Sequence, residues 1–204
     1  MWVRPVGEFA GQSLMSSAVN QPFLMSVEDV FTLQHGRIVM LTGRIERGRV
    51  RTGDEVELVG LRGDASSRAA GIEASLVRID EACAGMNVGV LLRDLPADAV
   101  GRGQVLAAPG SISAHACFTA DITTLSAEAG GTDVVSGDRL RFHIRSAAVW
   151  GTVALHGVDV VRPLHGVEGT VTLEQYVALE EAQSFAFRHH GRAAGAGTVL
   201  RFPR

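Results

Sequence analysis

The chain has 204 residues, 46% hydrophobic and 20% charged, which is enough apolar material for one large or two small cores and excludes wholesale disorder. A formal net charge of −3, with its seven histidines neutral, excludes the bulk polycation that coats nucleic acid, so any RNA binding must come from local patches or shaped pockets. Every basic side chain other than His is Arg, and this excludes a G-x-x-x-x-G-K-[ST] phosphate loop, whose Lys holds the β- and γ-phosphates.

Met1 to Asn20 is aperiodic, with Gly7, Gly11 and several Ser. It is expected to be a loose arm, and it lacks the basic start and apolar run of a signal peptide. From Gln21 the character changes to short apolar segments punctuated by Gly. Strands are predicted over 26–33, 37–45, 55–61, 71–79 and 87–93, with reversals at Glu46-Arg47-Gly48 and Thr52-Gly53-Asp54. Gly48 and Gly53 supply the φ > 0 that tight hairpins need. Val27, Val30, Val39, Val56, Val88 and Val90 suit a half-buried pleated surface.

Ala107-Ala108-Pro109-Gly110-Ser111 breaks any strand and reads as a short linker. Beyond it the style repeats, with strands predicted over 115–124, 139–146, 151–155, 166–173, 184–188 and 197–202. Residues 173–182 are expected to form a short helix or an irregular loop. Many short strands joined by Gly-rich turns predict an all-β protein, two antiparallel β-barrels in tandem over 21–110 and 111–204, of about 90 residues each. The two cysteines, Cys83 and Cys117, form no C-x-x-C pair. They are expected to be reduced, buried thiols of a cytoplasmic protein. No apolar run approaches the roughly 20 residues of a membrane helix.

Several stretches, in order, resemble bacterial elongation factor Tu. Pro22 to Phe31 (PFLMSVEDVF) resembles the opening of its second domain. Thr42 to Gly48 (TGRIERG), Gly53 to Gly60 (GDEVELVG), Asn87 to Arg93 (NVGVLLR) and Arg102 to Ala107 (RGQVLA) follow in the family's order. Phe185 to Arg188 (FAFR), Gly191-Arg192 and Gly195-Ala196-Gly197 resemble the end of its third domain. The resemblance runs from about Gln21 to Phe202 and covers the family's two β-barrel domains without the GTPase domain that precedes them. It is closer in the first half than in the second.

The resemblance implies a second-domain pocket for the terminal adenosine and esterified end of aminoacyl-tRNA. Its apolar walls fall on Leu33, Met40 and Leu91, its polar groups on Glu73 and Asn87, and Gly36-Arg37 lies on the loop near the ester. Bases splayed out of a helix are read in this manner. The competing reading makes the three apolar residues core and Glu73 a solvated strand residue. Two positions depart from the family's pocket: Leu76 stands where the family has Arg, and Ser75 replaces a ring. Arg78, two residues on, is expected to share a strand face with Leu76. The loop also departs, with an extra residue before His35 and Ile38 where the family has Gly.

In the third domain, Arg141, Trp150 and His190 stand where the family grips the tRNA T-stem with an amide, a hydroxyl and a Gly. Trp150 would obstruct that docking, or else be an ordinary core or interface Trp. His189 and His190 are adjacent, so their side chains are expected to diverge along a strand, which argues against a metal site. No catalytic constellation is found, and neither enzymatic activity, a cofactor nor nucleotide binding is expected. Two functions remain open. One is a translation-related module binding the aminoacyl end of tRNA or another RNA. The other is a protein-interaction module, or a degenerate paralogue, that has lost tRNA binding.

Overall fold

The computed structural model describes residues 18–33, 38–93, 95 and 97–203. The chain divides into two compact units, residues up to Leu58 with Asp64–Ser111, and Val59–Gly63 with the residues from Ile112 onwards.

The first unit is built from strands β1 (Leu24–Ser26), β2 (Asp29–Leu33), β3 (Ile38–Arg47), β4 (Arg49–Arg51), β5 (Glu55–Val59), β6 (Ala65–Ala74), β7 (Val77–Ile79), β8 (Glu81–Cys83), β9 (Asn87–Arg93) and β10 (Val105–Ala107). Six of them run in the order β1-β10-β5-β6-β9-β3, and pairing of β3 with β1 closes the ring into a barrel. Alternation along β3 shows why. Val39, Leu41 and Ile45 point inward to join Met25, Val56, Leu58, Ile72, Val90 and Leu92 in one core, while Met40, Thr42 and Arg44 take the other face. Gly43 lets β1 pass close to β3, because a Cβ there would overlap the carbonyl oxygen of Ser26. Val27, Val39, Val56, Val88 and Val90 all lie in this core, with Val30 packed against it.

The strand predicted over 26–33 is instead two. The break falls where the chain changes partner: the Val27 amide donates to Gln104 O (3.0 Å) and the Glu28 amide to Thr42 O (2.9 Å). The segment 71–79 is not one strand but the β6–β7 hairpin, turning at Ser75-Leu76 with both residues at positive φ (49° and 66°). That two-residue geometry matches the twist of its flanking strands.

The second unit contains β11 (Ser113–Thr124), β12 (Val134–Val135), β13 (Arg139–Ile144), β14 (Ala147–Leu155), β15 (Val160–Val161), β16 (Gly166–Leu179), β17 (Ser184–His189) and β18 (Arg192–Arg201). Six close into a barrel in the order β11-β16-β14-β13-β17-β18. β14 alternates buried and exposed residues along its whole length. The core is aromatic. Phe142 meets Phe185 edge-on with centroids 5.7 Å apart and lies 6.2 Å from Phe187. Gly195 and Gly197, directly opposite Phe187 and Phe185 on β18, leave the space these rings occupy.

Residues 173–179 are neither helix nor loop but the end of β16. The register jumps between His115↔Val177 and Cys117↔Thr172, so the exposed Glu174-Gln175-Tyr176 bulges away from β11. This bulge interrupts the alternation that marks a strand in sequence. The cysteines also differ from expectation: Cys83, on the small β4–β8 sheet, and Cys117, on β11 beside its register shift, are free but only half-buried. Among the described residues, no helix is long and apolar enough to cross a membrane.

Candidate functional site

Cross-strand register assembles one face on the outside of the first barrel. Phe31, Met40, Leu91 and Gly71 are successive partners across β2, β3, β9 and β6. The neighbouring row, two residues along, is Asp29, Thr42, Gly89 and Glu73, continued by Arg78 on β7. Direct partners share a face of the sheet, so these side chains converge. Asn87 joins at the next row, opposite Arg44.

Gly89 lies at the base of a cavity on this face, and Gly71 lies one row away. A Cβ on Gly89 would lie 3.0 Å from Met40 Sδ and 3.2 Å from its Cγ, so the Met40 side chain lies across this position. At Gly71 a Cβ would meet Leu91 Cδ1 at 3.6 Å and the Arg78 guanidinium at 3.7 Å. The result is a cavity of about 410 Å³ lined by Met40, Glu73, Ser75, Leu76, Asn87 and Gly89 among others. It has an apolar wall, a carboxylate, an amide and a flat glycine base.

Of the residues singled out from sequence, Met40, Glu73 and Asn87 line this cavity together with Ser75 and Leu76. Leu91 is 5% exposed and sits one row away against Gly71. Leu33 lies one row further, opposite Ile38, and is partly exposed. Gly36 and Arg37 lie outside the described residues. Leu76 does not share a strand face with Arg78. It is the 97% exposed tip of the β6–β7 turn, because both turn residues adopt the left-handed conformation and leave the pleat. Arg78 instead faces Glu73, its Nε 3.9 Å from Oε1, so a cation that the sequence alone misplaces stands beside the cavity's carboxylate. Gly71, Gly89 and Phe31 were not singled out, and only the pairing of four strands brings them here.

On the second barrel, Trp150 is on the outer face and 39% exposed, so it is not a core residue. Its direct partner is Arg141, whose other neighbour is Arg188. The Arg139 guanidinium carbon lies 4.4 Å from the Trp150 ring centroid and that of Arg141 5.8 Å, both within cation–π range. His190 is not on a strand. It turns the chain after β17 at φ 47°, and its ring stacks on His189 with centroids 4.0 Å apart, where divergence was expected. Among the described residues no three His, Cys, Asp or Glu side chains group as a metal site.

His143 lies two residues along β13 from Arg141, and its Nε2 is buried without a hydrogen-bond partner. Burial, reinforced by the positive charges of Arg188 and Arg141, pushes its pKa below the ordinary value of 6.5. Burial does the same to His115. Both rings therefore bind a proton more readily in the unfolded chain. Stability is complete above the unfolded value and falls as pH drops below it. The melting temperature of the second barrel is expected to decrease between about pH 7.5 and about pH 5.5, and His143→Gln should flatten that slope. An unchanged slope in the variant, followed by circular dichroism, would remove His143 as the cause.

Comparison with known families matches residues 39–107 to elongation factor Tu domain 2 and residues 111–202 to the elongation factor Tu C-terminal domain. The two matches fall in order on the two closed barrels, and the cavity, from Met40 to Gly89, lies in the domain 2 match apart from Glu28. The chain thus belongs to the elongation factor Tu family, through that family's second and third domains.

Proposed function

We propose that this pair of barrels is a translation-related module that holds the aminoacylated 3′ end of an RNA on the outer face of the first barrel. The observation that carries this reading is the glycine-floored cavity with Met40 as its wall and Glu73 and Asn87 at its polar edge. An unstacked base presents a flat apolar face and an edge of donors and acceptors. Met40 suits the face. The Glu73 carboxylate accepts from an exocyclic amine, and the Asn87 amide both donates and accepts. Arg78, across from Glu73, supplies the positive charge that Leu76 does not. On this reading the module acts in the cytoplasm by binding rather than catalysis, and nucleotide hydrolysis is no part of what these residues do.

The test is fluorescence anisotropy with a labelled acceptor-stem RNA, aminoacylated or deacylated, at low salt. Aminoacylated RNA is expected to bind. Glu73→Ala and Asn87→Ala should each weaken it about tenfold, the cost of one hydrogen bond to a charged or amide group. No binding by the wild-type protein, or wild-type affinity in both variants, would overturn the reading.

A further inference from the structure

The second barrel carries an outward face whose charges are not balanced within the barrel. Arg139, Arg141 and His143 alternate outward on β13, Arg188 lies opposite Arg141 on β17, and Trp150 lies opposite Arg141 on β14. Most cations nearby have carboxylate partners. Arg139 grips Glu174 with two hydrogen bonds, 2.6 and 3.0 Å. Arg145 holds Glu180 at 2.6 Å, and Arg201 holds Glu168. Arg141 and Arg188 make no hydrogen bond or ion pair among the described residues, yet they are direct cross-strand neighbours. Like charges in that position destabilise a sheet. Beside them an indole stands up from the wall, held by Arg139.

We propose that this face is a docking surface for an acidic segment of a protein partner, whose carboxylates bridge Arg141 and Arg188 while an apolar side chain packs on Trp150. Guanidinium forks match carboxylates in a plane. Trp and Arg side by side, at the centre of a patch, are the composition that dominates protein–protein binding energy. The same observations disfavour a nucleic acid. A phosphate backbone needs cations spaced along a track, whereas the unpaired cations here form a single row of two.

The probe is a synthetic peptide of alternating Glu, Asp and Leu, titrated against the full chain carrying Trp2→Phe, so that Trp150 alone reports by fluorescence. A single-stranded RNA oligonucleotide of matching charge is titrated in parallel. The peptide is expected to change the Trp150 emission and to bind more weakly as salt rises. Combined Arg141→Gln and Arg188→Gln should weaken it by about tenfold or more. The same double variant should melt at a higher temperature than the parent, because it removes an uncompensated repulsion. A structural role for the two arginines would not produce that rise. Tighter binding of the RNA than of the peptide, lost in the same variant, would overturn the proposal in favour of nucleic acid. No response to either probe would overturn it outright, as would a fall in melting temperature on removing the two arginines.

Discussion

Gly89→Val is expected to lower the affinity of the module for an aminoacylated RNA end by on the order of 100-fold, about 2.7 kcal/mol. A β-carbon at this position lies 3.0 Å from Met40 Sδ before the γ-methyls are added. The flexible thioether must therefore lift off the glycine, and Met40 lines the cavity into which it can move. Valine fills the base and Met40 moves into the opening. The core should tolerate the change, since Gly89 faces away from the inward-pointing Val88 and Val90, and a β-branched residue suits a strand. A loss of stability of about 1 kcal/mol or less is expected. Anisotropy titration paired with a thermal melt separates the two effects. A variant that melts normally and still binds would show that this cavity does not hold the RNA end.

Phe142→Ala carries the largest expected loss of stability, about 3–5 kcal/mol. Phe142 is fully buried, and its ring bridges Phe185 and Phe187 at 5.7 and 6.2 Å. Removing it leaves a void bounded by two rings that are themselves fitted over Gly197 and Gly195, so collapse around the gap is restricted. Against a total stability of about 5–15 kcal/mol for a small domain, that loss is a large fraction for the second barrel. Urea denaturation followed by circular dichroism measures it. A loss below about 1 kcal/mol would show that the ring does not sit at the centre of the core.

The architecture was legible because its signals are local. Gly48 and Gly53 reverse the chain where the sequence places them, at φ 73° and 99°, and alternation of apolar residues marks β3, while of β14 only 151–155 was expected although it begins at Ala147. The failures come from pairing between distant segments and from a turn that carries no glycine to mark it. Residues 173–179 look irregular because three exposed residues interrupt the alternation, and only register against β11 and β14 shows a bulged strand. Leu76 and Arg78 are two residues apart and would share a face in a continuous strand. The turn at Ser75-Leu76 sends one to the tip and folds the other back opposite Glu73. Met40, Glu73 and Asn87 could be named from the family resemblance, but Gly71 and Gly89 draw their meaning from which strands lie beside them.

Each barrel holds one thiol, Cys83 in the first and Cys117 in the second, both half-buried and neither bonded to the other. That distribution makes the native chain its own pair of clocks. Under pulsed alkylation the two sulfurs should react at separate rates, each set by how often its own wall opens. Mass spectrometry of the two tryptic peptides then reads the opening of one barrel independently of the other. No mutation or truncation is needed to ask whether a ligand on one barrel slows the opening of the other.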